Sequence, residues 1–220
     1  MEIYSTDEEQ VAALKKWWEK NGNSLLIGIG LALLVVFGWK TWQANVMGKK
    51  AEASALYQQL MTQATKDEVA KRMEAGATVD FLAGELKTRF ADTEYALYAA
   101  MFLAKEFAGK GELDAAIGEL NYVLANTQDA RLIHIINGRL ARIYAAQKKY
   151  DEALALLKAT DDAFAAPYHE LTGDILLAKG DQAAAVESYK QAWALIKEEP
   201  SSQPMLSLKL ADLGVLTDEL

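Results

Sequence analysis

The chain has no cysteine and only two histidines, His134 and His169. The usual Cys/His routes to a zinc site are therefore closed. The zero cysteine count suits either side of a membrane, since it avoids stray oxidation outside and is ordinary inside. Only three prolines occur, Pro167, Pro200 and Pro204, and no apolar–polar alternation of strand type runs for a useful length. The class is all-α. Basic side chains are in deficit, 23 Lys and Arg against 31 Asp and Glu, for a formal net charge of −8, and most of the excess acid lies in residues 43–220. A nucleic-acid or anionic-lipid surface needs a basic stripe, so this composition argues against nucleic acid as a partner of that part. No G-x-S-x-G, P-loop or G-x-G-x-x-G stands between a strand and a helix. His134 falls at the start of a repeat helix and reads as a surface or half-buried residue. Asp161-Asp162 and Glu198-Glu199 read as solvated charges. No catalytic, cofactor or metal site is expected, and the chain is not read as an enzyme.

Against these absences stands one apolar run, Leu25 to Trp39, with no charged residue in it. Extended to Trp42 it forms a helix about 27 Å long at ~1.5 Å per residue, close to the ~30 Å hydrocarbon core of a bilayer. Trp17 and Trp18 precede it, and Trp39 and Trp42 close it, as at membrane interfaces. A buried core helix would keep a polar stripe. A cleaved signal would have a short basic leader and small residues soon after the core, whereas the leader here is mixed in charge and the A-x-A match at Ala51–Ala53 is too far downstream. Residues 24–42 are therefore read as an uncleaved single span in the lipid bilayer. Lys15, Lys16 and Lys20 before the span nearly balance Lys40, Lys49 and Lys50 after it, so charge counting leaves the orientation open.

Residues 1–23 form a patterned tail. Thr6 and Glu9 have capping-box spacing, and Val11, Leu14 and Trp18 recur at helical intervals. Asn21-Gly22 is expected to stop this helix, leaving a short amphipathic helix on the membrane surface.

Residues 43–220 carry internal repeats. Three segments align on Ala116, Ala153 and Ala185, at spacings of 37 and 32 residues, which bracket the ~34-residue tetratricopeptide unit of helix, turn, helix. Ala104, Ala141 and Gly173 are the matching small residues of the first helices, and Phe107, Tyr144 and Leu176 the large ones beside them. Gly111, Lys148-Lys149 and Gly180 mark the turns. Before the repeats, Met47–Ala75 reads as a long helix ended by Gly76. Thr78–Phe90 follows as a second helix with Phe81, Leu82, Leu86 and Phe90 on its apolar face. Ala165 reads as an exposed loop residue. Pro204–Leu216 reads as a capping helix with Met205, Leu208, Leu210 and Leu213 inward. The expected architecture is one N-terminal transmembrane helix followed by a tetratricopeptide-like α-solenoid.

The opening Met1-Glu2-Ile3-Tyr4, the single span, and the downstream Gly173-Asp174 and Ala178-Lys179-Gly180-Asp181 give the whole chain a layout that resembles the YfgM family, the ancillary subunit of the SecYEG translocon in Gram-negative bacteria. The resemblance implies a single-pass inner-membrane protein with residues 1–23 in the cytoplasm and residues 43–220 in the periplasm. It implies association with the SecYEG translocon and with the membrane-anchored periplasmic folding factor PpiD, and a chaperone-like or adaptor role toward unfolded secreted proteins. In tetratricopeptide folds the first helix of each pair lines a concave surface. By phase this brings forward Tyr98, Met101, Lys105, Ile135, Arg139, Arg142 and Glu170 as partner-binding candidates, with the cations suited to gripping carboxylates. The family motifs do not specify these residues. The competing readings are a purely structural scaffold that binds no clients and a regulator of inverted topology.

Overall fold

The computed structural model describes residues 7–70, 73–158, 163–196 and 204–216. Among them the regular structure is helical throughout: α1 (Asp7–Ala70), α2 (Met73–Arg89), α3 (Glu94–Gly109), α4 (Leu113–Asn126), α5 (Ala130–Ala146), α6 (Tyr150–Ala155), α7 (Ala165–Lys179), α8 (Gln182–Leu195) and α9 (Pro204–Asp212). The chain divides into two compact units, Met1–Ala55 and Leu56–Leu220.

The first unit is uninterrupted helix from Asp7 onward. Asn21-Gly22 does not stop it, contrary to the expectation from sequence. The Asn21 amide donates back to the Trp17 carbonyl at 3.0 Å. The face of Gly22 is covered by the Trp18 indole, whose ring atoms lie 3.0 Å from where a Cβ would stand. A glycine inside a helix costs only about 1 kcal/mol relative to alanine, too little to break a helix continued on both sides. Thr6 of the expected capping box lies outside the described residues. From Leu25 to Trp42 the large apolar side chains are exposed on every face, Leu34 at 70% and Val35 at 71%. A helix apolar all round needs an apolar surrounding. This is the one described helix long and apolar enough to cross a membrane.

The second unit stacks helices in chain order. α2 packs on α3, α3 on α4, α4 on α5, then α5 on α6 and α7, α7 on α8 and α8 on α9. Among the described residues, three apolar clusters lie between successive layers. One joins Leu97, Ala100, Ala104, Ala116, Leu120 and Val123 to Ile136, Leu140 and Ile143. Another joins Ala141, Ala153 and Leu157 to Tyr168, Leu171 and Ile175. The last joins Ala185, Tyr189, Ala192 and Trp193 to Leu206 and Leu210 of α9. Ala116, Ala153 and Ala185 are all fully buried, so the three repeats are in the register expected from the sequence.

The turns confirm that register. Gly111 (φ 78), Lys148 (φ 61) and Gly180 (φ 95) adopt left-handed backbone. The next N–H in each case, from Glu112, Lys149 and Asp181, donates at 2.9 Å to the carbonyl of Phe107, Tyr144 or Leu176. This is the Schellman closure of a helix C-terminus. α9 ends the same way: Gly214 has φ 79, and Val215 donates to Leu210 at 2.9 Å. By this geometry α9 stands in phase with the first helices α3, α5 and α7.

Four further expectations are corrected. Gly76 does not end a helix. It lies inside α2, which starts at Met73, before the expected Thr78. Phe81 is 65% exposed; Leu86, and Phe90 just past the end of α2, are buried as expected, and Val79 and Ala83 join them in place of Phe81. In α9, Leu206 and Leu210 are fully buried while Met205 and Leu208 are exposed. Ala165 is buried and opens α7. Pro167 sits in that helix's first turn, where its missing N–H has no intrahelical partner to lose.

Candidate binding groove

The second unit holds a groove of about 470 Å³, within the ~300–1,000 Å³ range of ligand sites, whose walls come from α3 and α5 with Tyr57 of α1 and Leu120 of α4. Its floor is apolar. Met101, Phe102, Ala104 and Ala108 of α3 face Leu120 and Ile143. α3 positions these residues because Ala96, Leu97, Ala99, Ala100 and Leu103 are buried along the rest of the helix. The small side chains let α3 approach closely and leave the longer ones to line the opening.

The charged lining residues are all cationic: Lys105, Arg139 and Arg142. α5 is started by Asp129, whose carboxylate accepts from the Arg131 N–H at 2.9 Å. Its buried stripe of Ile136, Leu140, Ala141 and Ile143 turns Arg139 and Arg142 outward on one face, three residues apart. Arg142 reaches the Gly138 carbonyl at 3.5 Å. Neither arginine forms an ion pair with a described carboxylate. Lys105 lies 4.0 Å from Glu106.

Two tyrosines of the lining, Tyr57 and Tyr98, cluster with Tyr95 beyond it. The Tyr57 ring lies 5.7 Å from Tyr95 and 6.0 Å from Tyr98, and Tyr95 meets Tyr98 edge-on at 6.1 Å. Burial, with Tyr98 nearby, pushes the Tyr57 phenol above its ordinary pKa, so it stays a neutral donor at physiological pH.

Of the seven residues anticipated from sequence, the structure gathers Tyr98, Met101, Lys105, Arg139 and Arg142 around one groove. Ile135 is exposed and outside the lining. Glu170 is elsewhere, held by Lys209 at 2.6 Å. Lys209 also binds Asp174 at 2.7 Å, and Asp174 accepts from the Tyr189 hydroxyl at 2.7 Å. Glu170 thus fastens α9 to α7. Tyr57, Phe102, Ala108, Leu120 and Ile143 were not anticipated. Phe102 and Ala108 flank residues already singled out, but Tyr57 precedes the recognisable repeats and carried no signal.

These features define a helical repeat protein of the tetratricopeptide type with a single N-terminal candidate membrane helix. Residues 15–215 match the Tetratricopeptide repeat-like domain family. The crystal structure of a Podosopora anserina protein with nearly identical TPR-like repeats superposes with a TM-score of 0.56 at 19% identity, covering 73% of this chain and 85% of that one. Curated relatives match end to end. The Ancillary SecYEG translocon subunit of Haemophilus influenzae is 34% identical over 96% of this chain and 99% of its own length. The Escherichia coli protein of that name is 32% identical over 98% and 100%, and that of Neisseria gonorrhoeae 27% identical over 97% and 100%. The chain belongs to the family of ancillary SecYEG translocon subunits.

Proposed function

We propose that the chain is an inner-membrane adaptor of the Sec translocon. In this reading residues 1–23 lie in the cytoplasm, residues 24–42 cross the bilayer, and residues 43–220 stand in the periplasm. The repeat domain binds other proteins there, acting with PpiD on secreted chains as they emerge. The observation that carries the reading is the end-to-end match to relatives named as ancillary translocon subunits, spanning both the apolar helix and the repeats. The groove supplies a surface of the required kind, apolar within and charged at its rim.

The test uses the absence of native cysteine. Ala130 is exposed at the start of α5. A cysteine placed there is expected to react with a membrane-impermeant maleimide once the outer membrane alone is opened, and the protein is expected to co-isolate with SecYEG and PpiD from mild detergent. Labelling only after inner-membrane lysis would reverse the topology. Loss of the translocon from the isolate would end the adaptor reading.

A further inference from the structure

We infer that the α3–α5 groove takes an acidic apolar peptide segment, one that seats an apolar side chain on the floor and presents a neighbouring carboxylate to Arg139 and Arg142. The inference rests on the reading of the repeat domain as the protein-binding part and specifies which chains it accepts.

Charge complementarity selects the occupant. The chain has a formal net charge of −8, yet among the described residues no carboxylate lines this groove and three cations do. The charged side chains of the described lining are therefore opposite in sign to the net charge of the chain. Basic segments, drawn to the acidic surface at large, are repelled at the groove mouth. Acidic segments are steered to it. Arg139 and Arg142 present two planar forks on one helical face, a geometry matched to carboxylates. Unpaired with any described carboxylate, they lose no ion pair among the described residues on engaging a ligand.

The apolar floor sets the second requirement. Met101 and Phe102 are partly exposed beside the fully buried Leu120, so an entering apolar side chain covers surface now facing water. Methionine adapts to differently shaped side chains, which suits a site reading composition rather than one sequence. The two tyrosines of the lining offer flat apolar faces with polar tips, a combination common at peptide-binding surfaces.

The experiment uses the full chain in nanodiscs of zwitterionic lipid and three labelled peptides with the same apolar centre, flanked by Glu, Gln or Lys. The Glu peptide is expected to bind about tenfold more tightly than the Lys peptide at low salt, the order expected for a few exposed charge contacts. The gap should narrow as salt shortens the screening length from about 10 Å at 0.1 M to 3 Å at 1 M. Arg139→Glu with Arg142→Glu should reverse the preference. Ala108→Trp should block all three peptides, with melting curves establishing that both variants fold. Equal binding of the three peptides, or an unchanged preference in the folded double variant, would overturn the inference. So would tight binding of laurate with no peptide bound, which would assign the groove to a free amphiphile, or loss of a self-associated form in the double variant, which would assign it to a second copy. Co-isolation with the translocon is scored separately. Peptide selectivity without translocon association would remove the adaptor reading and keep the groove. Association without selectivity would do the reverse.

Discussion

Gly173→Ala should destabilise the protein, although alanine is the better helix former by about 1 kcal/mol. A Cβ at Gly173 would stand 2.4 Å from Cε1 and 2.5 Å from Cδ1 of Tyr189. The ring cannot easily retreat. Tyr189 is 1% exposed, and its hydroxyl is tied to Asp174 at 2.7 Å. Overpacking costs about 1–3 kcal/mol; a 2.4 Å approach to a pinned ring puts this case in the upper part, about 2–3 kcal/mol, so the net loss should be roughly 1–2 kcal/mol after the helical gain. For a chain of this size each kcal/mol moves the melting temperature about 2–4 °C, giving a fall of roughly 2–8 °C. Gly138→Ala is the matched control, because a Cβ there meets only Arg142 and Tyr168 at 3.8 Å. It should raise the melting temperature. The other repeats show the compensating pair: Ala104 shares its cluster with Leu120, and Ala141 shares its own with Leu157, both leucines at the place of Tyr189. In a Tyr189→Leu background, Gly173→Ala should therefore become neutral or favourable. Near-UV circular dichroism melts of the full chain in detergent would measure all four proteins. The same sign for Gly138→Ala and Gly173→Ala, or an unchanged cost of Gly173→Ala beside Leu at 189, would refute the packing argument.

Other perturbations separate core from surface. Ala153→Trp, at a fully buried position, should lower the melting temperature by several degrees, corresponding to about 1–3 kcal/mol, whereas Ala115→Trp, on the exposed side of α4, should leave it nearly unchanged. Alkaline melts should show a loss of stability in the third repeat. Burial first, then the bond to Asp174, raises the Tyr189 pKa. For Lys209 burial pulls downward, but hydrogen bonds to Asp174 and Glu170 outweigh it and leave the pKa raised. Both groups favour the protonated folded state, so their contribution is complete below the ordinary tyrosine value of about 10 and declines as pH climbs through the raised folded values. Tyr189→Phe should flatten that decline. Glu170→Ala should speed proteolysis near α9 while leaving the Glu-over-Lys peptide preference intact; a lost preference would return Glu170 to the groove.

The repeat register was legible because close packing admits few alternatives at Ala116, Ala153 and Ala185. A larger side chain at any of them has no room. Positions decided by competition were not. α9 has four large apolar residues in nine positions, Met205, Leu206, Leu208 and Leu210, so two faces satisfy a helical period. Contact with Trp193 and Tyr189 selects the one bearing Leu206 and Leu210. Gly76 and Asn21-Gly22 look like stops only where helix propensity is weighed alone, and Pro167 looks like a loop only where its place in the first turn is unknown. Five groove residues emerged from phase along single helices, but Tyr57 enters through tertiary approach of α1 to α3, a proximity no local pattern encodes. Glu170 has the right phase and the wrong neighbour, Lys209, 39 residues away.

Because each layer of the second unit leans chiefly on the next, separation can begin at a margin without dismantling the middle. Among the described helices α9 is held by α7 and α8, at the end of the stack, and should part first. The α3–α5 region, bracketed by α2 before it and by α6 and α7 after it, should part late. Amide exchange would then be fastest around Leu206–Leu210 and slowest around Leu120 and Leu140. The second unit would thus keep its α3–α5 groove intact through partial melting, giving way at the end that does not carry it.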